Sequence, residues 1–174
     1  MELKETIEIR RSIRKYKDDE ISEETLKEAI KYGIMAPSAH NRQPWRVKIL
    51  TKEEKNKIAD MLYQKTKDIK GHTGPHTAGL IKDTPNAILV FMDNKSDEER
   101  DLDIISIGAF IENIILYLTN LDLGTLWIGN TNLVKEEINN FLKTNYEPIS
   151  MVLVGKKDQD PHARPRKDLE EIII

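Results

Sequence analysis

The densest group of charged donors in the chain is IRRSIRKY, Ile9 to Tyr16, where Arg10, Arg11 and Arg14 surround Ser12. A guanidinium presents a planar fork of N–H donors that matches phosphate oxygens, and a hydroxyl adds one more. Such a set suits a phosphate monoester. A helical stripe continued from Leu3 and Ile7 would turn Arg10 and Arg14 toward the core, where a lone charge needs an anionic partner. A plainer alternative stays open: the arginines end a helix, cap its carbonyls and pair with glutamates. A second basic group, Arg164, Arg166 and Lys167, stands in a tail with no folding pattern of its own. Alone it reads as solvated, and its interest lies in agreement with the first group.

Between a predicted helix and a predicted strand runs MAPSAHNRQPWRV, Met35 to Val47. It is too rich in turn formers to be either element, yet it gathers Ser38, His40, Asn41, Arg42, Gln43 and Trp45 around two prolines. This loop is expected to hold a ligand. His40, His72, His76 and His162 could each serve as a general base, although a lone histidine in a loop is ordinarily a surface residue. Their spacing gives no metal site. The segment GTLWIG could bring backbone N–H groups close to a ligand through Gly124 and Gly129, or its glycines are simply turns.

Bulk composition narrows the classes. With 174 residues, 39% hydrophobic and 33% charged, the chain reads as one domain, residues 1–174. A net charge of −3 argues against nucleic acid and anionic membrane as partners, so any anion must be met by a local cluster of bases. The absence of cysteine removes disulfides, thiolate catalysis and iron–sulfur clusters. Glu2, Lys4 and Glu5 interrupt any leader-like apolar run, so the expected location is the cytoplasm.

The elements that must position these groups follow from periodicity. A first short helix is expected from Met1 to about Arg10, and a second, capped by Ser22, ends at Pro37. WRVKIL alternates as a half-buried strand, and Thr51 caps a charged helix from Lys52 to about Lys67. KGHTGPHTAG reads as a loop or mobile flap. NAILVFMD and PISMVLVGK fit central strands, GTLWIGN a short one, and NLVKEEINNFLK a surface helix. The stretch DLDIISIGAFIENIILYLTNLDLG is apolar almost all round and is expected to be the core helix. A membrane span is the rival, disfavoured by Glu112 and Asn113 in mid-run. Ile172, Ile173 and Ile174 suggest a strand that needs a sheet edge.

Taken in order, RRSIRKY, APSAHNRQPW, GAFIENIILYLTNLDLGTLWIG and VLVGKK with RPRKDLEEI resemble the flavin-dependent nitroreductase family. The likeness covers most of the chain and is weakest from about Tyr63 to Asp83. It implies an α+β fold with a central mixed β-sheet flanked by helices, in an intertwined homodimer with an exchanged C-terminal strand. It also implies FMN at the dimer interface and NADH or NADPH as reductant. On this likeness Arg10, Arg11, Ser12 and Arg14 hold the phosphate and ribityl chain, and Arg164 and Arg166 add a second basic contact. Pro37, Ser38, Ala39 and Asn41 reach the flavin of the other subunit, Ile128 and Gly129 face the flavin edge, and His40 stands on the substrate side.

The implied chemistry is carried by flavin N5, so no side chain is expected to be catalytic and no metal is needed. Hydride from the nicotinamide passes through the flavin to a small acceptor, nitroaromatic or quinone, in ping-pong order. Alternatives are a flavin-binding or redox-sensing protein with little turnover, a specialised reductive branch such as dehalogenation, or a phosphate-binding module without flavin. Two departures from the family pattern stand out. DNKSDEERD leaves room for only a small lid, and GHTGPHTAG lacks the Asn and Lys that some relatives direct at the ring system.

Overall fold

The computed structural model describes residues 2–93 and 97–174. Four strands form the central sheet: β1 (Trp45–Leu50), β2 (Asn86–Met92), β3 (Leu123–Ile128) and β4 (Glu147–Lys156), in the order β1-β2-β4-β3. All neighbouring pairs are antiparallel. The parallel contribution to the sheet is an isolated bridge from Ser12 to Thr125, on the outer edge of β3. Between Val90 and Phe91 the register of β2 against β4 jumps from Ser150 to Pro148, passing over Ile149. A proline cannot donate to a ladder, so a bulge beside it is expected.

The sheet is covered on both faces, which explains the unbroken apolar runs of its inner strands. Alternation sends Ile88, Val90, Met92, Val152 and Val154 to one side, against α2 (Glu23–Gly33) and α5 (Arg100–Asn120). Ala87, Leu89, Phe91, Met151 and Leu153 face the other side, toward α3 (Lys52–Thr66), α4 (Gly74–Asp83) and α6 (Lys135–Leu142). The chain is thus α+β, helices on both faces of an antiparallel sheet. α5 has the length and mean hydropathy (1.6) of a membrane span, yet it is the core helix expected from its sequence. Phe110, Ile111, Ile114 and Leu118 are fully buried, and Trp45 stacks on Phe110 at 5.0 Å.

Helix starts follow their capping signals. Ser22 accepts from Thr25 N–H without a full capping box, whereas Thr51 and Glu54 complete one at the start of α3. KGHTGPHTAG departs from the expected loop, because α4 begins at Gly74 with proline in its first turn. Proline tolerates that position since its missing N–H would have no helical partner there. Gly74 is required for another reason: a Cβ would lie 2.2 Å from Thr66 Oγ1. Glycine and proline here mark a helix start pressed against α3.

The first helix ends where its sequence suggests, near Arg10, but its stripe does not continue beyond that point. α1 (Leu3–Ile9) stops with Arg10 as its C-cap, and Leu3 and Ile7 are 68% and 54% exposed. Continuation loses to pairing, because Ile13 is buried and its N–H donates to Thr125 O at 2.9 Å. Residues 10–14 therefore run extended along β3, and no helical stripe turns Arg10 and Arg14 inward. At the other end of the chain, Leu169–Glu171 form a single 3-10 turn and Ile172, Ile173 and Ile174 are exposed, with no sheet pairing among the described residues. Of the short connection before α5, positions 94–96 lie outside the described residues, and Asp97–Glu99 form a 3-10 turn.

Candidate functional site

Extended backbone re-sorts the arginines. Alternation puts Arg10, Ser12 and Arg14 on one side and Arg11 with Ile13 on the other. Arg11 Nη1 donates to Glu8 O at 2.6 Å and Arg10 O at 2.8 Å, so it caps the carbonyls at the end of α1. Arg10 Nε stands 3.9 Å from Glu112 Oε1 on α5. Arg14 donates only to Ser12 O, at 3.2 Å, and has no acidic partner among the described residues. The capping alternative left open by the sequence thus holds for Arg11, and it leaves Arg14 free.

Arg14 opens onto a cavity of about 240 Å³. Its walls are the end of β3, with Leu126, Ile128 and Gly129, and one face of α4, with His76, Thr77 and Leu80. Asn130 fixes that corner, since its Nδ2 lies 3.2 Å from both Thr73 Oγ1 and Thr77 Oγ1. His72 holds the start of α4, its Nδ1 accepting from Gly74 N–H at 2.9 Å. The cavity accordingly presents a guanidinium with no acidic partner among the described residues, hydroxyls and the amino end of a helix, all of which favour an anion. The sequence points to Arg14, Ile128 and Gly129 but not to α4, whose glycines and proline read locally as a loop or mobile flap.

The Met35–Val47 loop contributes no residue to the lining of this cavity within one chain. Ala39 N–H donates to Ser106 Oγ at 3.2 Å, whereas Arg10 meets the same helix at Glu112. Six residues of helix separate these contacts by about 9 Å along the axis and roughly a third of a turn in azimuth. The loop is nevertheless built to a fixed shape. His40, Asn41 and Gln43 all have φ near +50°, a left-handed region uncommon for non-glycine residues and entered most readily by Asn and His, so three within four positions mark a defined loop shape. That shape is held by Ser38, whose Oγ accepts from Gln43 N–H at 3.1 Å, and by Arg42, which donates to Asp103 Oδ1 at 3.0 and 2.8 Å and to Glu99 Oε1 at 2.9 Å. Pro37, His40 and Asn41 project into solvent. Arg42 therefore anchors the loop, leaving Pro37, His40 and Asn41 outward while Ser38 and Ala39 are half-buried and bonded within the chain. Arg164 and Arg166 are exposed in the tail, with no hydrogen bond or ion pair to any described residue.

An α+β layered fold with a cationic cavity at a strand end defines a class of small anion- or cofactor-binding domains. Comparison with known families narrows it: the Nitroreductase family matches residues 7–156, and the chain belongs to that family. A relative from Methanothermobacter thermautotrophicus, provisionally named an NADH dehydrogenase/NAD(P)H nitroreductase, is 27% identical over all of this chain and 87% of its own length. Among solved structures, a BluB-like flavoprotein from Clostridium difficile 630 superposes with a TM-score of 0.84 at 25% identity, covering 100% of this chain and 98% of that one. A provisionally assigned nitroreductase from Desulfovibrio desulfuricans, solved in complex with FMN, gives a TM-score of 0.81 at 24% identity, with 99% and 95% covered.

Proposed function

We propose that this chain is an FMN-dependent oxidoreductase of the cytoplasm, working as a homodimer that passes hydride from NADH or NADPH to a nitroaromatic, quinone or similar small acceptor. The observation that carries the reading is Arg14, an exposed guanidinium with no acidic partner among the described residues, opening onto a cavity bounded by Ile128 and Gly129. Its geometry fits a phosphate-bearing cofactor. Family membership and the FMN held by the Desulfovibrio relative support the identity of that cofactor.

In this reading Arg10, Ser12 and Arg14 hold the phosphate end and Arg164 and Arg166 close on it from the tail, while Arg11 stays turned away to cap the end of α1. FMN would supply the redox chemistry, accepting and releasing hydride in two separate half-reactions. The chain's own residues bind and orient it, and none of them needs to move a proton. Pro37, Ser38, Ala39 and Asn41 form a wall for the partner's cofactor, with His40 toward the substrate. The outward pose of Pro37, His40 and Asn41 and the defined shape of the loop support that role. A partner would also cover Leu3, Ile7, Ile105 and Trp127, which are 68%, 54%, 69% and 42% exposed in the single chain. The outer edge of β3 is already taken by Ser12, so an exchanged Ile172–Ile174 strand would find its open edge at β1.

The test is titration with FMN followed by anaerobic addition of NADH or NADPH. Wild type is expected to bind one FMN per chain, quench its fluorescence and bleach at 450 nm or thereabouts on reduction, then recolour with menadione as a probe quinone. Arg14→Ala is expected to weaken FMN by roughly ten- to a hundredfold, the loss of one charge-assisted contact. Unchanged affinity in that variant, or no FMN binding by wild type, would overturn the reading.

A further inference from the structure

Lys55 is the one charged side chain buried in α3, only 2% exposed. Its Nζ donates to Ile81 O at 2.6 Å and to Lys82 O at 2.9 Å. These carbonyls belong to the last turn of α4, where a helix leaves its acceptors without internal partners. Thr84 covers the preceding carbonyl, with its hydroxyl 2.7 Å from Leu80 O. Lys55 therefore completes the carboxyl end of α4 from a neighbouring helix, at the pole where a cation is favoured. Packing alone does not call for a lysine here, because an apolar side chain of similar length would fill the space without desolvating a charge.

What this end of α4 controls lies at its other end. The helix is ten residues long, about 15 Å, and its first turns carry His76, Thr77 and Leu80 into the cavity beside Arg14. At its start it is held by His72 and by the close seat of Gly74 on Thr66. We propose that Lys55 is a positioning residue of the cofactor cavity: by tying the last carbonyls of α4 to α3, it sets where the 73–80 face of α4 stands over Arg14 and Ile128. The inference rests on the cavity being the cofactor site.

The charge state of Lys55 supplies an independent signature. Burial pushes its ammonium down from 10.5 to about 8, with Lys52 acting the same way and Asp83 opposing. Lys52 on α3, Lys82 and Asp83 on α4, and Asp18 and Glu20 ahead of α2 line the adjoining cavity. The folded state thus gives up this proton at lower pH than the unfolded state. Lys55's contribution to stability is full above the unfolded value and is lost as pH falls through about 8. Two N–H donors remain on the neutral amine, so the tie itself survives deprotonation.

The experiment uses full-length Lys55→Met beside wild type, with three readouts. Hydrogen exchange should show protection lost in α4 while α5 keeps its own, and the FMN dissociation constant should rise about fivefold or more, a lost donor felt through the helix. The gain in urea stability that wild type shows between about pH 8 and 10 should be absent from the variant. Equal protection of α4 in both proteins, or loss spread evenly over α4 and α5, overturns the proposal. Should wild type bind no FMN, the cofactor reading fails while exchange still decides whether Lys55 sets α4. If Lys55→Met does not fold, Lys55→Gln, which keeps two N–H donors on a shorter stem, is read in the same way with the same criteria.

Discussion

Gly124→Ala places one methyl group where the structure has no room for it. A Cβ at Gly124 would lie 2.8 Å from Ile13 Cγ2 and 2.9 Å from Lys157 Cγ. Carbon–carbon contacts are comfortable at about 3.5–4.0 Å, so one neighbour must give way. Lys157 can swing, but Ile13 is 3% exposed and its Cβ would itself be 3.0 Å away. Displacing Ile13 strains its N–H bond to Thr125 O, the tie that lays residues 10–14 along β3. Overpacking costs about 1–3 kcal/mol, and loss of the backbone bond adds roughly 1 kcal/mol. A loss of about 2–4 kcal/mol is expected, or roughly 4–16 °C in Tm for a chain of this size. FMN affinity should fall by more than the stability change alone explains, because Arg14 rides on the displaced segment. Urea unfolding and FMN titration read the two effects separately. Gly79→Ala is the control, since a Cβ there meets nothing within 4 Å and the position is helical; it should be neutral or stabilise by about 0.4–1 kcal/mol. A Gly124→Ala protein within 0.5 kcal/mol or so of wild type that binds FMN normally would refute the reasoning.

Three further outcomes are expected. Arg42→Met strands the Asp103 carboxylate, whose side chain is 8% exposed, and should cost about 2–3 kcal/mol in urea unfolding while raising proteolysis between Pro37 and Gln43. Glu147 is drawn in opposite directions: burial raises its pKa, but hydrogen bonds from Arg100 and Lys135 outweigh burial and hold it below the usual carboxylate range. Its contribution to stability is present above the unfolded pKa of about 4.3 and is lost as pH falls through the lower folded value, so Glu147→Gln should flatten the acid limb of a pH-stability curve. Removing residues 164–174 should weaken both dimerisation and FMN binding; a truncated protein that sediments as a dimer with its flavin would refute the exchanged tail.

Periodicity and capping chemistry made most of the fold legible. Thr51 with Glu54, the alternation of Trp45, Val47 and Ile49, and the all-round apolar run of α5 each specify an element through contacts within a few residues. The basic group at Arg10, Ser12 and Arg14 was visible for the same reason, as residue type at short spacing. Its arrangement was not, because helix and extended strand are close in energy over five residues and the choice fell to Ile13, which finds its place only against Gly124 and Thr125. α4 was hidden likewise: glycine and proline are loop formers by local propensity, and only the Gly74 seat on Thr66 and the Lys55 tie to Ile81 O and Lys82 O make that stretch a helix wall of the cavity. Local interactions fix what can be read from neighbours in sequence. Which arginine caps a helix and which opens onto the cavity depends on contacts more than a hundred residues apart, and these exist only once the sheet has formed.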